Sequence, residues 1–242
     1  MGPSAEALLV LAILGLYLYD ATTLLCCNEA VFSPAGRRGW DVGFGSRHMG
    51  IRGKELFIPN PLLLHRPTFR LVWSLEDAGE ARAADLQPAS LLPLAPALWG
   101  MAVGMLVLLP LGFFTALGER ALLSGLLLIY VNLVLALTWT WLNRSPLQLS
   151  PWRFAALAFE SLVCPPFALN LVRHLSLQMQ PKEDAIHAAR RLQGPEDWSL
   201  TRDRFRQRLD DEIDLEEVNS ARWTRLIARR NRLTGGREAC QE

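Results

Sequence analysis

The stretch ASLLPLAPALWGMAVGMLVLLPLGFFTALGERALLSGLLLIYVNLVLALTWTWL, Ala89–Leu142, decides how the chain is read. Only Glu119 and Arg120 carry charge in it, and they sit near its middle beside Gly118. Each half is long enough to cross a bilayer, because about 20 apolar residues at about 1.5 Å rise span the hydrocarbon core. A helix in a water-soluble protein rarely stays apolar on every face for so long. The stretch therefore predicts a membrane hairpin whose charged tip reaches the far water surface. Pro93 and Pro96 fall at the start of its first helix, where proline is tolerated. Pro110, with Gly112, predicts a kink. Gly100 and Gly104 form a small-xxx-small face suited to helix packing. Asn132, inside the second helix, is expected to hydrogen-bond a neighbouring helix. Trp139 and Trp141, with Trp152 beyond the next loop, read as one aromatic belt.

Upstream, Ala7–Cys27 is apolar apart from Asp20 and two threonines. No Lys or Arg precedes the run and no small-x-small cleavage site follows it, which favours a retained first membrane helix over a signal peptide. Asp20 then lies inside the membrane, facing protein or a water-filled cavity, or near the headgroups. Downstream, Phe154–Val172 is apolar but holds Glu160 and Cys164-Pro165-Pro166. Two prolines remove two backbone donors and break the helix. The segment reads either as a fourth span or as a re-entrant or interfacial pair of half-helices. Keeping both charged blocks on the positive side favours three crossings and a non-spanning Phe154–Val172.

The expected fold class is thus an all-α integral membrane protein with three transmembrane helices, a Pro-broken re-entrant or fourth helix, a small β-containing loop insert and a charged helical tail. The corresponding divisions are 1–28, 29–88, 89–142, 143–172 and 173–242. In the first polar block, Trp40, Val42 and Phe44 alternate with Asp41 and Gly43, and Phe69, Leu71, Trp73 and Leu75 alternate with Arg70, Val72 and Ser74. Period two predicts strands. Gly50 and Gly53 bracket a turn ahead of the apolar run Leu56-Phe57-Ile58. Glu76–Gln87 reads as a polar linker or short surface helix. Arg47, His48, Arg52, Lys54, His65, Arg66 and Arg70 make this block a candidate for lipid phosphates or an anionic partner. Ordinary retention of cations on the cytoplasmic side explains them as simply.

The tail predicts short helices over Lys182–Leu192 and Thr201–Leu209 and a long one over Asp210–Leu233. In the last, acids crowd the start and arginines the end, as a helix dipole favours. Arg222, Arg225, Arg229 and Arg232 share one face, beside Trp223, Leu226, Ile227 and Leu233. A basic amphipathic helix of this kind lies on a membrane or docks on a partner. The tail looks too polar to bury a core of its own, and Arg237–Glu242 reads as a loose end.

The 242 residues carry a net charge of +1, which makes no case for nucleic acid. The four cysteines have no metal or disulfide spacing. No phosphate-cradling loop, nucleophile elbow or zinc-protease motif is present, so neither a cofactor nor a metal is expected. High Ala, Leu, Arg and Gly usage and compact loops have a bacterial look. Together these features point to a non-enzymatic accessory, anchoring or scaffold subunit of a bacterial inner-membrane complex. Its partners would be membrane lipids and other membrane subunits or itself, and its tail would be cytoplasmic. Two alternatives remain open: a small oligomeric transporter or channel using Asp20, Asn132 and Glu160, and a lipid-modifying membrane enzyme.

Overall fold

A computed structural model describes residues 4–36, 39–74, 86, 88–179, 181 and 183–235. The chain divides into two compact units. Unit 1 comprises Met1–Thr23, Ile58–Thr68 and Gln87–Met179; unit 2 comprises Leu24–Phe57, Phe69–Leu86 and Gln180–Glu242.

Unit 1 is helical. Helix α1 (Ala5–Ala21) starts at Ser4, whose hydroxyl accepts from the Ala7 amide. The hairpin follows a 3-10 turn over Pro88–Leu94. Its first arm runs through α2 (Ala95–Val103), a π-helical turn (Gly104–Leu108) and α3 (Leu109–Phe114). Its second arm is α4 (Gly118–Leu142). The π turn answers Pro110. Proline has no N–H, and its ring clashes with the carbonyl one turn back. Here the Leu109 amide bonds the Gly104 carbonyl, five residues back, so the ladder slips instead of breaking.

The two arms pack at their glycines. A Cβ on Gly104 would stand 2.7 Å from the Ile129 side chain and 3.0 Å from the Gly125 carbonyl oxygen. One on Gly100 would stand 2.7 Å from the Asn132 amide. Below this seam Leu98, Met101 and Leu133 are fully buried. The outer faces are left bare: Val103, Val107, Leu123, Leu127, Val134 and Leu135 are all exposed. Only 39% and 28% of the two arms' most apolar windows are buried within the protein. The unit ends with α5 (Pro151–Val163), α6 (Pro165–Ala168) and α7 (Leu171–Gln178).

Two helices, Ser90–Phe114 and Gly118–Leu142, are long and apolar enough to cross a membrane. Each has 25 residues, about 37 Å of helix against about 30 Å of hydrocarbon. The expectation of three spans plus a broken fourth is corrected here. Helix α1 has 17 residues, about 25 Å, and its end at Asp20 is held by polar partners. The Phe154–Val172 region is cut at Cys164, and its longest piece has 13 residues.

Unit 2 corrects the all-α expectation. It carries two three-stranded sheets, ordered β1-β5-β4 and β3-β2-β6. The strands are β1 (Thr23–Leu25), β2 (Glu29–Pro34), β3 (Trp40–Gly43), β4 (Ser46–Ile51), β5 (Lys54–Phe57) and β6 (Phe69–Val72). In the second sheet, antiparallel pairing sets Phe32 opposite both Val42 and Phe69. Strands β4 and β5 meet at a two-residue turn in which Arg52 and Gly53 both have positive φ, 54° and 77°. That is the turn whose twist suits a hairpin.

Helices α8 (Ala185–Leu192), α9 (Pro195–Leu215) and α10 (Ala221–Gly235) complete the unit. The tail thus has a core, which the strands supply. Phe205 of α9 is fully buried. It lies edge-on to Phe44 at 4.9 Å and to Trp73 at 5.3 Å. The single helix expected over Asp210–Leu233 is two, because Asn219 turns left-handed at φ 69° between them. The linker expected over Glu76–Gln87 (Leu86 apart) and the loose end Arg237–Glu242 lie outside the described residues.

Two stability outcomes follow from this packing. Gly104→Leu overpacks the hairpin seam and should cost about 1–3 kcal/mol, read as a lowered unfolding midpoint of the full chain in detergent. Phe205→Ala should cost unit 2 about 3–5 kcal/mol, read by urea melting of the near-UV signal. Neither loss should appear for Leu127→Ala on the bare face of α4.

Candidate functional site

In unit 1, polar groups gather where α1 ends. The Asp20 carboxylate accepts from Asn170 at 3.0 Å and meets the His174 Nε2 at 2.8 Å. The Asn170 amide nitrogen also donates to the Tyr17 carbonyl at 3.0 Å. Arg173 donates to the Asn170 side-chain oxygen at 2.6 Å and to the Asn60 carbonyl at 2.7 Å. The Tyr17 hydroxyl donates to the Pro61 carbonyl. The Thr68 amide donates to Ser176 at 2.8 Å. Asn170 is 0% and Arg173 3% exposed. A guanidinium taken out of water needs its donors met, and here carbonyls and one amide meet its two terminal nitrogens, while its Nε has no hydrogen-bond partner. The cluster ties α1, the 60–68 loop and α7 together.

Asn170, Arg173 and His174 stand three and four residues apart, one face of a helix. That spacing was the available signal. A boundary drawn at Arg173 splits the face between a membrane piece and a tail, and so conceals it. Cys164 stands at the break before α6. Burial, reinforced by the Asp20 charge, holds its thiol above the ordinary range, which leaves little of the reactive thiolate.

Asp20, Asn132 and Glu160 do not come together. Asn132 donates to the Leu128 carbonyl of its own helix at 2.8 Å and lies against Gly100. Glu160 is exposed on α5. The cations of the first polar block are also divided. His65 and Arg66 belong to unit 1, where the His65 ring centroid lies 6.3 Å from that of Trp99. Arg47, His48, Arg52, Lys54 and Arg70 belong to unit 2. Arg47 pairs with Asp211 at 2.7 Å and Arg70 with Glu29 at 3.3 Å, while His48, Arg52 and Lys54 are exposed.

The basic face of the tail is largely occupied from within unit 2. Arg222 reaches Glu212 and Glu216, both at 3.4 Å. Arg229 is buried against Asp184 at 2.8 Å. Asp184 also caps α8 through the Ile186 amide and accepts from the Ser74 amide, each at 3.0 Å. Arg225 bonds the Ala221 carbonyl, and Arg232 is exposed. The acids ending α9 oppose its dipole, and the arginines of α10 offset them. Arg208, on α9, is buried and bonds Glu55 and the Gly45 carbonyl.

An open cleft of about 390 Å³ lies in unit 2, lined by Cys27, Asn28, Trp73, Ser74, Glu212 and Arg222 among others. Burial pushes the Cys27 thiol up, and the neighbouring Glu212 carboxylate pushes it further. Among the described residues no group of three or more His, Cys, Asp or Glu is placed to hold a metal. No family model, curated protein or solved structure matches the chain.

Cys27 should therefore alkylate slowly at neutral pH, its rate rising only above the ordinary thiol range near 8.5. Glu212→Gln removes a charge that disfavours thiolate. It should move that rise to lower pH, as followed by mass spectrometry of the labelled Cys27 peptide. Asp184→Ala removes a buried carboxylate from Arg229 and uncaps α8, and should cost about 3–5 kcal/mol in thermal or urea unfolding. Arg47→Ala, at a partly exposed pair, should cost under about 1 kcal/mol.

Proposed function

We propose that this protein is a non-enzymatic accessory subunit that anchors and scaffolds a bacterial inner-membrane complex. One observation carries the reading: an apolar hairpin with bare outer faces interrupts the chain, yet the segments before and after it close into one folded unit. Unit 2 joins strands up to Val72 with helices from Ala185 onward. Its two halves must share one side of the membrane, so the chain between them crosses an even number of times. The two hairpin arms supply two crossings. A further crossing by α5–α7 would pull the halves apart.

Charge sets the orientation. Between Pro88 and Asn143 the only cation is Arg120, at the hairpin tip. Every other Lys and Arg lies in the flanks, and positive flanks stay cytoplasmic. Unit 2 then faces the cytoplasm and Glu119–Arg120 the opposite side. The bare faces of the hairpin meet lipid and the membrane helices of partner subunits or of a second copy. The exposed parts of unit 2 offer the water-side contacts.

Reporter fusions after Leu147 and Leu192 should both read cytoplasmic, and one at Gly118 should read external. Opposite signals at Leu147 and Leu192 would sink the topology. Purification of the full chain in mild detergent after crosslinking in cells should recover a stoichiometric membrane partner. A lone monomer under those conditions would overturn the subunit role.

A further inference from the structure

We infer that α5 is an interfacial lipid-binding helix, seated in the acyl-chain boundary of the leaflet from which the hairpin enters. This rests on the membrane reading above and assigns a surface that reading leaves open. Residues at 100° intervals divide α5 into three strips. Leu157 and Ser161 are buried, with Phe154 and Ala158 packed on the core beside them. Trp152, Phe159 and Val163 lie on the opposite side and are 83%, 68% and 67% exposed, with Leu162, 45% exposed, between them and the core side. Arg153 and Glu160 share the edge next to that stripe and are exposed.

This layout fits neither water nor a full span. Three large apolar side chains in one strip, with Leu162 beside it, form a patch that calls for a cover. Helix α5 has 13 residues, about 20 Å, short of the about 30 Å of hydrocarbon. It is fixed at both ends, by the Ser150 cap with Pro151 and by the Cys164-Pro165 stop. An apolar stripe bordered by a cation and an acid, with a Trp at one end, suits a helix lying in the interface plane. Its level is set by α4. The Phe154 ring lies 5.0 Å from Trp141, near the end of that helix, and the Arg144 guanidinium sits 4.2 Å from the same indole. The bare apolar surface of the hairpin therefore ends where α5 begins. Acyl chains already against that surface extend under the stripe, while Arg153 and Glu160 stay among the headgroups.

The test uses the full chain in nanodiscs of phosphatidylcholine and phosphatidylglycerol. Nitroxides are placed singly by Trp152→Cys, Arg153→Cys, Phe159→Cys, Glu160→Cys and Val163→Cys in a background with the native cysteines replaced by serine. Leu127→Cys on α4 and Arg204→Cys on α9 serve as lipid and water references. Collision with oxygen relative to a nickel chelate should be several-fold higher at 152, 159 and 163 than at 153 and 160. Water-like values at 152, 159 and 163 beside a lipid-like 127 would overturn the inference and leave the hairpin standing. A water-like 127 would overturn the membrane reading itself, and this inference with it. Lipid-like values at all five α5 sites would mean a buried span, and shielding from both probes would mean a protein partner; either overturns the inference. A second measurement needs no cysteine: brominated phosphatidylcholine should quench the emission lost in Trp152→Phe, and an unquenched difference spectrum overturns the inference.

Discussion

Phe205 stands edge-on to Phe44 and Trp73, and through those contacts a helix late in the chain completes a core begun by early strands. A two- or three-stranded sheet alone is marginal in water. A helix as charged as α9 cannot hide much surface by itself. Each supplies what the other lacks. The rest follows from that dependence: the intervening chain must leave and come back, and the hairpin is a shape that does so. The close seam at Gly104 and Gly100 serves the same end, since it holds the outgoing and returning arms together.

Charge plays two roles in this arrangement. Arg208 and Arg229 are buried against carboxylates, and Arg173 is buried against carbonyls and one side-chain amide. Buried ion pairs add little net stability, but breaking one is expensive. They therefore select one packing of strands on helices more than they deepen it. The exposed cations, among them Arg52 and Lys54, carry no such constraint and act through their summed charge.

The two helices of the hairpin were legible because their run is long, apolar and almost uncharged. Strands β3 and β6 showed as alternation, and the β4–β5 turn showed through Gly50 and Gly53. Strand β2 was missed because Glu29, Ala30, Val31 and Phe32 are all buried. A strand covered on both faces loses the period-two signal. The split between α9 and α10 was hidden because Asn219, not glycine or proline, makes the turn. Asp20 stood out as an acid in an apolar run, but its partners Asn170 and His174 lie about 150 residues away, a distance no local pattern encodes. The basic stripe on α10 was real as a spacing. Its meaning changed because the acids of α9 lie beside it in space.

The interleaving of the two units also bears on biosynthesis. Trp73 leaves the ribosome about 130 residues before Phe205, a lag on the order of ten seconds at about 5–20 residues per second. During that interval the early strands have no lid, and the apolar hairpin is synthesised. Only a chain whose intervening segment turns back brings α9 to the waiting sheet. Until α9 arrives the aromatic cluster stays open, and a stalled chain would expose an unfinished sheet to quality-control proteases.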